Sequence, residues 1–388
     1  MRMNRILPTI VISQFFCTSL WFAGNAIMGD IIATHHLEPG FLAHLTSAVQ
    51  FGFITGTFVF ALLTIADRFS PSRVFFVCAI LAALVNLGVA IEGAGTAGLV
   101  IFRFATGFFL AGIYPVGMKI AADHYERGLG KSLGFLVGAL VLGTAFPHLI
   151  KSISAGLPWR NVVFATSLLS AVGGAAMLTL VPNGPYRRPG QQLALSTFLS
   201  GFRNKNFRSA AFGYFGHMWE LYTFWAFVPV MLAFNKVTYH HASLDVPLLS
   251  FVVIAGGSLA CVASGLLSLR WGAKSIATIS LSLSFLCCCV SPWFLLNASA
   301  VTLTTFLFFW GLVVIADSPL FSTLVAQNAP EQSRGTSLTI VNCIGFSITI
   351  ISIQAINLLS PNIGPMYIYT VLAIGPLLGL IALLSNRT

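Results

Sequence analysis

Residues 107–115 read Gly-Phe-Phe-Leu-Ala-Gly-Ile-Tyr-Pro, and residues 311–319 read Gly-Leu-Val-Val-Ile-Ala-Asp-Ser-Pro. In each, a proline follows a glycine by eight residues, inside an apolar run long enough for a membrane helix, which needs about 20 residues. The polar residues after the two runs match as well: Glu126-Arg127-Gly128 follows the first, and Glu331 with Arg334-Gly335 follows the second. A motif that returns half a chain later together with its flanking loop marks an internal repeat of two homologous halves.

The surroundings of the repeat give the class. The 388 residues are 57% hydrophobic and only 8% charged, which excludes a soluble globular domain and indicates a polytopic membrane protein. Apolar segments fall near 7–32, 42–65, 73–92, 97–122, 131–152, 160–181, 208–235, 247–269, 275–296, 299–326, 336–358 and 365–385, here numbered one to twelve. The polar piece 182–206 divides six from six, so the expected domains are 1–181, a linker 182–206 and 207–388. Within the linker, Leu195, Phe198, Leu199 and Phe202 stand at helical spacing ahead of Arg203 and Lys205, the pattern of a short amphipathic helix on the membrane surface.

Loop charge sets the expected orientation, because Lys and Arg are retained on the cytoplasmic side. With the N-terminus inside, fifteen basic residues lie in cytoplasmic loops and ends, and three (Lys151, Arg160, Lys236) lie outside. Both termini are therefore expected in the cytoplasm, and the net charge of +10 is accounted for by anionic lipid without nucleic acid. The basic start Met1-Arg2-Met3-Asn4-Arg5 is like that of a signal peptide, but the apolar stretch that follows outruns a short h-region and reads as the first membrane helix. All seven cysteines fall within the apolar segments, so neither a disulfide framework nor a metal pair is offered.

The loop after segment two resembles that of a known family. It carries Ala66, Asp67, Arg68 and Arg73, although Leu63 and Ser70 stand where that family has glycines. The second copy keeps Gly265, Arg270, Gly272 and Lys274 but has Leu269 in place of the acid, and segment four carries Arg103-x-x-x-Gly107. On these residues the chain is similar to the major facilitator superfamily of secondary transporters. Segment five, with Gly134, Gly138, Gly143 and Pro147, resembles a degraded form of the glycine-rich fifth helix of proton-coupled exporters. The resemblance implies an all-α membrane protein: twelve transmembrane helices in two pseudo-symmetric six-helix bundles that alternate access to a cavity lined by segments one, four, seven and ten.

Of ten acidic residues, eight fall near segment ends and two, Glu220 and Asp317, fall inside the hydrocarbon region. At 1.5 Å per residue they sit at similar depth, roughly 14–20 Å from the cytoplasmic ends of segments seven and ten. A carboxyl at that depth costs at least a few kcal/mol, roughly, and such groups mark proton or solute paths. His217 lies one turn from Glu220. Glu220, His217 and Asp317 are the candidate proton-coupling residues; the alternative is that Glu220 is bonded to a Tyr or Trp and only holds its bundle together.

Solute-binding candidates come from three segments. Gln14, Thr18, Trp21 and Asn25 form a polar stripe on segment one, and Tyr222 and Trp225 supply aromatic faces on segment seven. Arg103 would hold an anionic group of the solute or, equally, bond backbone carbonyls of segment one. Lys119 either reaches the headgroups or pairs with Asp123 at i+4. The loop charges Asp67, Arg68, Arg73, Glu126, Arg127, Glu331 and Arg334 read as gate parts whose ion pairs bias one state of a rocking equilibrium.

No Cys/His cluster with ligand spacing and no phosphate-binding loop occurs, so neither an enzyme nor an ATP-driven pump is indicated, and no cofactor is expected. The expected partners are a small-molecule solute, protons and lipid, for a monomer in the cell membrane, the inner membrane if bacterial. The reading is a proton-coupled carrier of a small organic solute, an anion if Arg103 holds it; an exporter of amphipathic compounds and an uncoupled uniporter or exchanger stand as alternatives.

Overall fold

The computed structural model describes residues 3–125, 129–187, 199, 201–240, 244–297, 299–330 and 334–385. Among them there is helix and no strand. Among the described residues, nine helices are long and apolar enough to cross a membrane: Phe41–Leu62, Pro71–Ala90, Gly95–His124, Gly134–Ile153, Arg160–Leu180, Val246–Trp271, Ala273–Asn297, Ala300–Asn328 and Arg334–Ile363. The other three segments are helical as well. Segment seven is the unbroken helix Lys205–Thr238, and segment twelve is a 3-10 turn, Ile368–Ala373, running into Ile374–Leu384. Segment one, expected as one continuous helix, is in three pieces: Met3–Thr18, Ala23–Ala26 and Met28–His35.

The chain divides into two compact units, Met1–Gln192 and Leu193–Thr388. Residues 188–198 and 200 of the linker, among them Leu195 and Phe198 of the expected amphipathic helix, lie outside the described residues, as do Glu126, Arg127 and Glu331. The first unit ends in an ordered clasp. Tyr186 donates its backbone N–H to the Asp123 carbonyl, and the Arg187 guanidinium donates to the Asp67 and Phe69 carbonyls at 2.7 and 2.8 Å.

The repeat seen in the sequence is a packing rule inside each unit. A Cβ on Gly107 would strike the Val49 carbonyl, and one on Gly311 would strike the Val253 carbonyl, so segment four crosses segment two, and segment ten crosses segment eight, backbone to backbone. Position 311 is 204 residues after 107, and the same offset relates 253 to 49, 256 to 52 and 319 to 115. The motif prolines do equivalent work: segment four breaks between Leu110 and Tyr114, just before Pro115, and segment ten breaks at Asp317, just before Pro319. Segments seven and twelve approach in the same way, Gly216 lying against the backbone of Gly375 and Gly379.

The cysteines are free, five of them buried, with no disulfide among the described residues. Large apolar side chains such as Phe51, Ile101, Leu168, Leu259 and Ile351 are exposed along the helices, as a lipid-facing surface requires.

Candidate functional site

In the second unit, segment seven brings two of the proton-coupling candidates into one buried cluster with the third. Glu220 is 1% exposed and points at segments nine and ten. Its Oε1 accepts from Ser284 Oγ at 2.6 Å, from Cys288 Sγ at 3.2 Å and from Trp310 Nε1 at 2.5 Å. Ser284 and Cys288 are four residues apart and so present one face of segment nine. Three donors on one oxygen suit a carboxylate that accepts only, and a hydrogen bond to a charged group is worth about 1.5–3 kcal/mol.

One turn away, His217 Nδ1 lies 2.8 Å from Asp317 Oδ1, and both side chains are 1% exposed. The break in segment ten explains the placement of Asp317: it is the residue between Ala300–Ala316 and Ser318–Asn328, and its carbonyl takes the backbone N–H of Leu320 and of Phe321. Tyr214 and Phe321 flank the imidazole, with ring centroids 6.1 and 5.9 Å away. Asp317 Oδ2 and His217 Nε2 have no hydrogen-bond partner among the described residues. Buried polar groups left open in this way are found where a proton, water or ligand is exchanged. Glu220 and Asp317 are close enough to interact electrostatically, so the pair and the clamped acid form one charge cluster.

The aromatic candidates of this unit are committed to packing. Tyr222 meets Trp225 edge-on at 5.2 Å and Phe346 at 5.2 Å, and Trp225 is fully buried. Thr223 bonds Ser352, and Tyr214 donates to Asn342 Oδ1 at 2.8 Å, which ties segment seven to segment eleven.

In the first unit, Arg103 lies under the break in segment one. Its Nη1 donates to the Leu20 carbonyl at 3.1 Å and to Asn86 Oδ1 at 3.4 Å, and its Nη2 donates to the Trp21 carbonyl. Of the two roles open in the sequence, this is the backbone one: the guanidinium satisfies carbonyls that the helix break would otherwise strand in the membrane. At the 204-residue offset the second unit has Leu307, and its segment seven is unbroken.

The break also corrects the polar stripe, since only Gln14 and Thr18 lie on continuous helix before it. Trp21 sits in the turn with its ring 4.7 Å from that of Phe53, and Asn25, beyond the turn, donates to Thr46 Oγ1 at 2.9 Å. Gln14 is different. Its amide lies against Gly117 of segment four, it is fully buried, and neither its oxygen nor its nitrogen has a partner among the described residues. Gln50 of segment two is in the same position.

Among the gate candidates, Asp67 pairs with Lys119 at 2.6 Å, and Lys119 is 3.9 Å from Asp123. The sequence offered Lys119 the i+4 acid; folding supplies a closer one. Arg68 Nε donates to Thr64 Oγ1 at 3.1 Å, and Arg73 and Arg334 are exposed. The residues that sequence reasoning missed are Ser284, Cys288 and Trp310 around Glu220, and Asn86 beside Arg103. For Ser284 and Cys288 the signal was their i, i+4 spacing, which does not say which helix they face; a Trp partner for Glu220 was among the alternatives, without its position.

Comparison with known proteins agrees with this architecture. The sequence model of the Major Facilitator Superfamily matches residues 10–353. Among solved structures, the human organic anion transporter MFSD10 superposes with a TM-score of 0.76 at 14% identity, covering 99% of this chain and 100% of its own. The nucleoside transporter NupG superposes with a TM-score of 0.73 at 15% identity, covering 98% of each chain. A search of the curated proteins found no match. The two-unit helical fold and a family match over most of its length make this chain a member of the major facilitator superfamily, a multi-pass membrane transporter and not an enzyme.

Proposed function

We propose that this secondary transporter couples the movement of a small organic solute to protons by alternating access, as a monomer in the cell membrane with both termini in the cytoplasm. The observation that carries the reading is the buried pair of His217 and Asp317 at the break in segment ten, with Asp317 Oδ2 and His217 Nε2 left open. An acid and an imidazole in contact at bilayer depth can trade a proton without leaving a bare charge. Glu220 is the neighbouring charge, and its three donors make it the fixed member of the cluster.

For the solute, Gln14 is the group we assign to contact, because an amide with both ends unpartnered accepts and donates to a polar ligand or its water. Arg103 is occupied by Leu20 and Trp21, so an anionic solute has no free guanidinium there. The substrates of MFSD10 and NupG belong to those proteins; at this identity the likeness carries the fold alone.

The test is proteoliposomes enclosing a pH dye, given pools of candidate solutes. Wild type moves protons only when solute is present, and Asp317→Asn loses proton movement while still exchanging labelled solute. Equal solute flux in both proteins, with no proton movement in either, would make the protein a uniporter or exchanger and end the coupling proposal.

A further inference from the structure

Segment five carries two open polar side chains that the transport reading does not use. Its contact with segment one runs along Ala139, Gly143 and Phe146. Thr18 Oγ1 lies 3.5 Å from the Ala139 carbonyl, a Cβ on Gly143 would strike Thr18, and the Phe146 ring is 5.0 Å from that of Phe15. Thr144 and His148 stand on a different strip of the same helix, one turn apart, which puts their Cβ atoms about 5–6 Å from each other. Both are buried, at 0% and 1% exposure, and neither Thr144 Oγ1 nor His148 Nε2 has a hydrogen-bond partner among the described residues. The helix does not force this on a threonine. Thr18, Thr46, Thr106 and Thr166 turn their hydroxyls onto the carbonyl four residues back, at 2.7–2.8 Å, and Thr144 does not. Between the two side chains, Pro147 gives no N–H to the Gly143 carbonyl, so this turn lacks one of the bonds of a regular helix.

We infer that Thr144 and His148 form a contact site for the hydroxyl or amide groups of an uncharged solute. A hydroxyl and a neutral imidazole each offer such groups a donor or an acceptor. Buried polar atoms left open in a membrane interior cost free energy, which the solute's own hydrogen bonds offset. The nearby charges that could select an ion are already matched. Lys151, one turn beyond His148, pairs with Asp30 at 2.8 Å, and the Arg103 guanidinium is bonded to the Leu20 and Trp21 carbonyls. Gln50, the open amide of segment two, is uncharged as well. It lies between Thr46, which bonds Asn25, and Phe53, which packs on Trp21, and so stands at the level of Ala23–Ala26, the piece of segment one that packs against segments two and five alike. The inference rests on the alternating-access reading, because both side chains of segment five are enclosed and a solute reaches them only when the helices part.

Proteoliposomes holding the full chain would be given labelled glucose, inositol or nicotinamide as uncharged probes, and labelled benzoate or choline as charged ones. The expected result is saturable entry of an uncharged probe. Thr144→Val and His148→Leu each raise its half-saturating concentration about three- to ten-fold, with a much smaller effect on the maximal rate. His148→Gln, whose amide reaches the place of Nε2, recovers most of the loss seen in His148→Leu. Thermal unfolding in detergent without solute separates binding from scaffolding: Thr144→Val removes no internal hydrogen bond and should melt no lower than wild type. With an unfolded His148→Leu, Thr144→Val alone gives the reading. Entry of benzoate or choline alone, or of no probe, overturns the uncharged class. An unchanged half-saturating concentration in both variants, or a lowered melting temperature in Thr144→Val with only the maximal rate reduced, overturns the site. Entry of an uncharged probe without proton movement would end the coupling proposal and leave this one standing.

Discussion

Three buried side chains answer to two different forces. His217 and Asp317 meet 2.8 Å apart away from water, so removing one partner strands the other. Breaking a buried pair costs about 3–5 kcal/mol. His217→Ala is therefore expected to lower the melting temperature in detergent more than Asp317→Asn, which leaves a neutral amide of the same shape beside the imidazole. Arg103 has a purely local duty. Arg103→Leu, which copies the residue at the matching place of the second unit, leaves the Leu20 and Trp21 carbonyls without donors at about 1–3 kcal/mol each. Thermal unfolding would detect the loss; an unchanged melting temperature would mean that water replaces the guanidinium. Residue types were legible in the sequence at all three positions. For Arg103 the carbonyls of segment one were one of the two roles open; the pairing of Asp317 with His217 was not legible, because it spans a hundred residues of chain and only folding chooses which face of a helix meets which neighbour.

At the scale of elements, glycines set the distance between helices. Gly107 and Gly311 let carbonyl oxygens of segments two and eight approach where no Cβ fits. Gly107→Ala and Gly311→Ala should each cost about 1–3 kcal/mol, the usual cost of overpacking, whereas Gly134→Ala should cost little, as nothing lies within 4 Å of its added Cβ. Comparing the three melting temperatures checks the argument; a loss at Gly134 equal to that at Gly107 would refute it. The repeat was readable because glycine and proline act through the backbone, whose demands are local. The break in segment one was hidden. Ser19–Phe22 contains neither glycine nor proline, and the turn is held by Arg103 from a helix eighty residues away.

For the whole molecule the relevant quantity is where the charge lies. Every described basic residue at the end where segment seven begins belongs to the face expected in the cytoplasm, and Lys236 belongs to the other. In a Cys289→Ser background, Arg270→Cys should react with a membrane-impermeant maleimide only in inside-out vesicles, and Lys236→Cys only in right-side-out ones. The reverse pattern would invert the topology. Ion pairing at the membrane surface is a minor contribution to stability here: Asp67 and Lys119 are 22% and 25% exposed, and pairs of that kind are worth about 0–1 kcal/mol.

By itself the sequence determined the membrane class, the two repeated halves, the twelve helical segments and the two acids at depth. These follow from composition, from the period of apolar residues and from backbone residues whose effects extend no further than a helical turn or a close crossing. Tertiary structure alone decided that Glu220 is clamped by Ser284, Cys288 and Trp310, that Asp317 goes to His217, that Arg103 serves a broken helix and that Gln14 is left open. The physical reason is that a hydrogen bond in a membrane interior is a contest among all donors within about 3 Å, and the chain's own order does not say which of them will be there.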